Sequence, residues 1–362
     1  MRLALNSLMS KALFRTENEF VQWLQALAAR APGQERVRPL EKGVKLGIGD
    51  DAALVAVRST HELILTTDMS VEGVHFTRRV HPPEAVGHRA LSRSLSDVAA
   101  MGGVPRYVLV SLAISREVTR GWVSGFYRGM LALGRRFGVR LVGGDTALVA
   151  ERTFIDVLVA GEVPRGKALR RSGAHTGDQI FVSGRLGLSA LGLRLLQSKA
   201  AQTLLPVPKS GALRRHAQAR VPVSLAREAV QAHLYPEPQC ALGRFLSERR
   251  MASALIDLSD GLSIDLFRLC AASGVGARLW SVKIPRPNLP FPVDSLRLAL
   301  HGGEDYQLLF TVPQRKVSSL PSRFQGRPLY HLGEIEASKA IKLVTLEGKV
   351  RTLDPAGWDC FR

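Results

Sequence analysis

Apolar residues recur at helical spacing over residues 16–29, with Phe20, Trp23, Leu24 and Leu27 on one stripe, which predicts a helix. Two β-rich runs follow, 63–67 and 107–114. Between them residues 83–101 read as a helix carrying Asp97 near its end. Residues 118–137 form a second amphipathic helix, closed by Gly138 and followed by a strand at 139–142 and another at 153–161. The stretch 164–177 turns basic and Gly-rich and reads as a domain junction, giving one domain at 16–163 and a second at 164–362. The second half opens with a strand at 179–183 and a helix at 187–196. After a basic, Pro-punctuated excursion at 198–223 come helices at 242–250 and 262–272 and strands at 308–312 and 341–345. Strands and helices mix without a regular βαβ rhythm, so the pattern predicts a two-domain α+β fold and not a doubly wound sheet.

Composition narrows the class. With 362 residues and 46% hydrophobic content the chain can bury a large core. Its longest apolar run, 107–114, is strand-sized and far short of a membrane span. The first fourteen residues, broken by Asn6, Ser7 and Ser10, lack a cleavage pattern and read as a helix or ragged terminus, not a signal peptide. Cys240, Cys270 and Cys360 are isolated and odd in number, which fits a reducing, cytoplasmic setting. The net charge of +19 raises the possibility of a nucleic-acid partner. The basic residues are dispersed, however, with modest clusters at 165–171 and 214–220 and no aromatic interleaving. A solvated basic surface that attracts phosphorylated substrates is the better reading, against membrane or nucleic-acid binding.

Chemistry enters with six acidic motifs on Gly-rich or polar segments: GIGDDAA (47–53), TTDMSVEGVHF (66–76), LSDVAAMGG (95–103), VGGDT (142–146), IDLSDGL (256–262) and GGEDY (302–306). No Walker phosphate loop and no kinase-type Gly-rich loop is present, so metal ions would have to carry most of any phosphate recognition. Carboxylates beside glycines are the oxygen donors a hard cation such as Mg²⁺ requires. Asp50 and Asp51 are adjacent, so one of them faces away from a shared site. Thr66, Thr67 and Asp68 form a compact oxygen set after an apolar strand. Asp97 sits on a largely apolar helix, where a carboxylate is costly unless paired. Gly144 and Asp145 follow a strand, with bare backbone open to a phosphate. Asp257 and Asp260 can address one site if their segment turns. Taken alone each motif is also what an ordinary turn uses; the signal is their joint occurrence in this order.

Together these motifs resemble the thiamine-monophosphate kinase family, of the ATP-binding superfamily that includes aminoimidazole ribonucleotide synthetase and selenophosphate synthetase. The resemblance runs from about residue 17 to the C-terminus. It implies an N-terminal α+β domain that joins its mate in a dimeric β-barrel, and a C-terminal α+β domain that closes an ATP cleft. It implies transfer of the ATP γ-phosphoryl group to thiamine monophosphate, with several Mg²⁺ ions, in a homodimer. Matched position by position, Asp51, Thr66, Thr67, Asp68, Asp97, Asp145, Asp257 and Asp260 correspond to metal ligands, and Asp51, Asp68, Asp97, Asp145 and Asp257 carry the catalysis. Tyr127, Gly144, Asp145, Arg171 and Ser259 fall at the nucleotide, and His75, Glu304 and Trp358 at the thiamine phosphate.

The chain departs from the family pattern at Tyr235 and Gln239, where arginines are usual, and at Cys360, where a histidine is common. The excursion at 198–223 is longer than usual. None of these changes touches an expected metal ligand. A selenophosphate synthetase would want a reactive cysteine near its start, and no cysteine precedes Cys240. A non-catalytic basic RNA-binding module would predict eroded carboxylates, and all six motifs are intact.

Overall fold

The structure is a computed structural model that describes residues 14, 17–30, 44–46, 54–198, 221–289 and 294–358. Asp50, Asp51, Cys360, the start of the chain and most of the basic excursion lie outside the described residues. The chain divides into two compact units, residues 1–98 with 103–166, and 99–102 with 167–362. Both mix helices with sheets.

The first unit contains α1 (Glu17–Arg30), the short antiparallel pair β1 (Val44–Leu46) and β2 (Leu54–Val55), β3 (His61–Val71), α2 (Pro83–Ala100), β4 (Val104–Ser115), α3 (Arg120–Phe137), β5 (Arg140–Val149) and β6 (Phe154–Pro164). The sheet order is β3-β6-β4-β5, antiparallel except for the β4–β5 pair. Among the described residues it is open, with β3 and β5 at its edges. Alternation along the strands gives the sheet two unlike faces. Val108, Val110, Leu112 and Ile114 of β4 and Ile155, Val157 and Val159 of β6 are fully buried on one. The α2 hydroxyl of Ser94 donates to the Val157 carbonyl at 2.9 Å, which seats the helix on that face. On the other face Leu63, Leu65, Met69 and Phe154 remain exposed. Helix α3 is delimited as its sequence requires. The Thr119 hydroxyl caps the Trp122 amide, and Gly138 ends the helix in the left-handed conformation at φ 68°.

Two strands are longer than their sequence predicts. β3 continues through Val71 and β5 through Val149, so Asp68 and Asp145 lie within strands and not at strand ends. In β3 the residues facing α2 are polar (Thr66, Asp68, Ser70), while those facing outward are apolar (Leu65, Met69). That inverts the usual alternation and hides the strand from a pattern search.

The second unit contains β7 (Gln179–Val182), α4 (Leu188–Gln197), α5 (Val223–Leu234), α6 (Cys240–Glu248), β8 (Ala254–Asp257), α7 (Leu262–Ser273), β9 (Gly276–Trp280), α8 (Ser295–His301) and β10 (Leu308–Val312). It closes with β11 (Arg323–Phe324), β12 (Arg327–Pro328), β13 (Tyr330–Glu336), β14 (Ile341–Val344) and β15 (Val350–Thr352). Its main sheet has the order β15-β14-β9-β13-β7-β10-β8. The core joins Ile180 and Val182, Ile256, Leu262 and Leu266, Leu279, Leu309 and Leu332. Among the described residues no helix is long and apolar enough to cross a membrane.

Candidate active site

In the first unit the polar face of β3 meets the polar stripe of α2. The Thr66 hydroxyl donates to Asp97 Oδ2. Ser94, three residues before Asp97 on the same helix face, donates to Asp68 Oδ2 at 3.0 Å. Arg93 Nη2 lies 3.7 Å from Asp68 Oδ1. Residues 66 and 68 share a strand face and 93, 94 and 97 share a helix face, so two motifs that lie apart in sequence become one polar seam. Thr67 points the other way, and its hydroxyl donates to Asp156 Oδ1 at 2.7 Å. The structure therefore does not bring that hydroxyl to Asp68 and Asp97.

Asp145 lies on β5, at the edge of the sheet opposite β3. Three strand spacings separate the two edges, about 14 Å, so one ion cannot touch both Asp68 and Asp145 of the same chain. The Asp145 side chain is exposed, and its Oδ1 accepts from the Thr146 amide at 2.8 Å. A Cβ on Gly144 would lie 2.0 Å from the Val110 carbonyl, so glycine is what lets β5 approach β4 beside Asp145. Tyr127 is 1% exposed, with its ring 6.2 Å from Phe20, 6.0 Å from Trp23 and 5.1 Å from Phe126. Burial raises its phenol well above the ordinary value. In this structure Tyr127 is a packing residue.

In the second unit three distant segments converge on one turn. β8 ends at the buried Asp257, opposite Leu308 of β10. The turn that follows, 258–261, gives its carbonyls to the other two segments. Glu304 N donates to Ser259 O at 2.7 Å, Tyr306 N to Leu258 O at 2.9 Å, and Trp358 N to Asp260 O at 3.1 Å. A Cβ on Gly303 would lie 2.6 Å from Ser259 O, so the loop closes onto the turn only with glycine there. Asp257, Ser259, Asp260, Glu304 and Trp358 are thus brought together, Trp358 with its side chain half exposed. Arg171 is exposed, and its carbonyl is tied to the Ser273 hydroxyl at 3.0 Å.

Several supporting residues carried no signal of their own in the sequence. Asp265 accepts from the amides of Asp260 (3.0 Å) and Gly261 (3.1 Å) and fixes the turn. Arg268 Nη1 bridges Asp260 Oδ2 (2.5 Å) and Asp265 Oδ1 (2.7 Å). Desolvation pushes the Asp265 carboxyl up to about 6 against the lowering effect of these partners. Glu304 and Tyr306 both adopt left-handed backbone, φ 65° and 48°, a local cost that the surrounding hydrogen bonds must offset. Between them, Asp305 accepts from Gly187 N (2.6 Å) and Ser189 N (3.2 Å) at the start of α4. The buried His233 of α5 lies 3.0 Å from Ser189 Oγ and 3.6 Å from Glu304 Oε2. The GGEDY loop is therefore anchored to two helices as well as to the turn.

Desolvation raises the Asp305 carboxyl to about 7, outweighing its amide hydrogen bonds. The ordinary value of 3.8 applies to the unfolded chain, so between about pH 4 and pH 7 the folded state holds more protons. The stability contributed by this group is fully present below that range and is lost as pH rises through 7. Urea titrations at pH 5 and pH 8 should show wild type losing more stability than Asp305→Asn over this interval. Parallel losses in the two proteins would remove the assignment.

The donor chemistry fits Mg²⁺. Every candidate ligand is a carboxylate or hydroxyl oxygen. Among the described residues no group of three or more His, Cys, Asp or Glu side chains forms a ready-made cage.

Comparison with known proteins agrees with this set of motifs. The family described as AIR synthase related protein, N-terminal domain, matches residues 49–163. Thiamine-monophosphate kinase of Salmonella typhimurium is 36% identical over 336 residues, covering 90% of this chain and 95% of that protein. The Bacillus subtilis enzyme of the same name is 33% identical over 329 residues, covering 88% and 94%. Among solved structures, thiamine-monophosphate kinase from Stenotrophomonas maltophilia superposes with a TM-score of 0.74 at 31% identity, over 91% of this chain and 95% of that one. The protein AaThiL, complexed with AMPPCP and TMP, gives 0.69 at 30% identity, over 95% and 97%. Hydrogenase maturation protein HypE in complex with ATP shares the fold alone, at 16% identity and a TM-score of 0.66 over 96% and 98%. On identity and coverage the chain belongs to the thiamine-monophosphate kinase family.

Proposed function

We propose that this protein transfers the γ-phosphoryl group of ATP to thiamine monophosphate, giving thiamine diphosphate and ADP. The observation that carries the reading is the β3–α2 seam, where Thr66, Asp68, Ser94 and Asp97 are held in one hydrogen-bonded array. An oxygen of the acceptor phosphate bonds to the γ-phosphorus, the bond from that phosphorus to the bridging oxygen breaks, and ADP leaves with the electron pair. The acceptor oxygen is already ionised at neutral pH, so the chain need supply no strong base. Its task is to align two polyanions and offset their charge.

Asp51, Thr66, Thr67, Asp68, Asp97, Asp145, Asp257 and Asp260 would hold Mg²⁺, which when bound neutralises and aligns the phosphate oxygens. The separation of Asp68 from Asp145 favours several ions over one. Gly144, Arg171 and Ser259 would face the nucleotide, and His75, Glu304 and Trp358 the thiamine phosphate. The convergence of Ser259, Asp260, Glu304 and Trp358 supports a shared site in the second unit. The first unit, 16–163 in sequence terms, would carry most of the metal ligands and the dimer contact, and 164–362, with Asp257 and Asp260, the closing domain. The setting is cytoplasmic. The buried thiols of Cys240 and Cys270, both pushed up to about 12 by desolvation, would stay protonated there.

A coupled ADP-release assay with ATP and Mg²⁺ tests the reading, with thiamine monophosphate, thiamine and the aminoimidazole-pathway substrate offered in parallel. Turnover restricted to thiamine monophosphate is expected. ATP binding without that turnover would move the assignment to a sibling activity.

The exposed apolar face of the first sheet would be covered by a second copy of the chain, completing a shared barrel. Leu65, 63% exposed at the edge strand, stands where such a partner would sit. Leu65→Lys should convert a dimer into a monomer in sedimentation velocity. A variant that sediments like wild type would place the interface elsewhere.

A further inference from the structure

Part of the net charge of +19, dispersed along the sequence, is gathered by folding into one surface of the second unit. Segments 244–250 and 313–328 hold seven cations and a single carboxylate, Glu248. The two segments meet in the structure. The Lys316 ammonium donates to the Arg250 carbonyl. The half-buried ring of Phe245 on α6 lies 5.1 Å from that of Phe324 on β11, inclined by 37°. Glu248 is taken by Arg244 of the same helix at 2.7 Å. Arg249, Arg250, Arg315 and Arg327 are exposed and make no ion pair among the described residues.

Two backbone features shape this surface. The β11–β12 hairpin turns at Gln325 and Gly326, whose φ of 47° and 79° form the positive pair of a type I′ turn. Its register sets Phe324 opposite Arg327, so ring and guanidinium stem share one face of the hairpin. Arg249 stands one helical turn beyond Phe245, so each ring of the aromatic pair has an arginine beside it. The second feature is the end of α6. The Arg250 amide donates to Ser247 O at 3.0 Å and the Met251 amide to Leu246 O at 2.8 Å. That closure needs a left-handed residue at 250, where glycine is usual. This chain places arginine there, at φ 51°. A charged side chain kept at a position that penalises it points to a use for the charge.

The surface is no vestibule of the candidate site. Ala254 pairs with Thr311 and Asp257 with Leu308. Arg250 and Gln314 therefore flank one end of the β8–β10 pair and the turn 258–261 the other, about 10 Å along the strands. None of the large apolar side chains exposed on the described residues lies in these segments, so a membrane would find no anchor. Guanidinium groups beside aromatic rings match a flexible chain of phosphates that carries planar bases. We propose that this surface binds a single-stranded nucleic acid. Arg249, Arg250, Arg315 and Arg327 meet the phosphates, and the Phe245–Phe324 pair meets a base. The proposal stands independently of the kinase reading.

The test titrates the full chain into labelled RNA and DNA single strands of about 12 nucleotides and follows fluorescence anisotropy. Inorganic polyphosphate serves as the base-free comparison and phosphatidylglycerol vesicles as the membrane one. With four phosphates neutralised, affinity should fall about fiftyfold between about 50 and 200 mM salt, a logarithmic slope of about −3. Arg249→Gln combined with Arg327→Gln should halve that slope. Phe324→Leu should weaken oligonucleotide binding about fivefold or more and leave polyphosphate binding unchanged. Arg250→Gly should weaken binding without lowering the melting temperature, because glycine relieves the left-handed backbone. Should Phe324→Leu fail to fold, the arginine variants and the polyphosphate comparison decide. Tighter binding of either RNA or DNA supports the proposal and names the strand. Oligonucleotides bound no better than polyphosphate, or affinity unaltered by the arginine variants, overturn it. Binding to vesicles alone does the same, as does lost ATP turnover in a folded arginine variant, which would place the surface in the candidate site.

Discussion

Asp97→Asn should lower kcat by about a thousandfold or more while leaving the fold unchanged. The substitution keeps the shape of the side chain and leaves an oxygen to accept from the Thr66 hydroxyl, so the β3–α2 seam should survive. What it removes is a negative charge at the acid end of that seam. With two polyphosphates to bring together, that charge is what would anchor Mg²⁺ at the transferring group. Circular dichroism and the melting temperature should match wild type, and ATP turnover with thiamine monophosphate should fall to near background. Activity within an order of magnitude of wild type would remove Asp97 from the chemistry, and with it the reason for reading the seam as a metal site.

Phe310→Ala should cost about 3–5 kcal/mol of stability. Phe310 is fully buried on β10, one strand from the edge of the seven-stranded sheet, between β7 and β8. It stacks on Phe181 with ring centroids 5.8 Å apart and planes inclined by 17°. Truncation leaves a ring-sized void in a sheet whose neighbours are pinned by backbone pairing and cannot collapse into it. β10 also pairs with β8 up to Asp257, so loosening it loosens the root of the site. Urea unfolding provides the measurement. A change below about 1 kcal/mol would mean that the surroundings relax freely, contrary to the packing described.

Helices were the most legible part of the chain. Residues 118–137 announce α3 through their apolar stripe and Gly138, while the Thr119 cap starts the helix at Arg120, two residues later than the stripe suggests. β3 and β5 were read too short for a physical reason. In each, the polar residues that mark the motif lie inside the strand, and in β3 the buried face is the polar one. Nothing local distinguishes that from a strand followed by a turn. α5 was missed because it follows the basic excursion and begins directly after Pro222.

The site shows the same division. Each acidic motif could be found because carboxylates beside glycines are rare in a basic chain. Their grouping could not, since it depends on which strand is an edge and which helix lies over it. Arg93 and Ser94 gave no signal, although they lie within one helical turn of Asp97. Arg268, Asp265 and His233 are legible only once the turn at 258–261 and the GGEDY loop are seen together. Tyr127 marks the opposite case. Its ring is enclosed by aromatic neighbours that the family motif does not reveal.

The hydrogen bonds that tie the last described segment to the turn after β8 also bear on the order in which the protein assembles. Ser263 and Ala356, 93 residues apart, bond to each other through hydroxyl, amide and carbonyl groups, and His301 Nδ1 joins the same carbonyl at 2.8 Å. These partners can form only once residue 356 has left the ribosome, when every strand of both sheets has already emerged. Contacts of such separation close late because their loop entropy must be met first. A nascent chain stalled just short of that point would carry a nearly complete scaffold around an unfinished binding end, so synthesis delivers the framework before it delivers the chemistry.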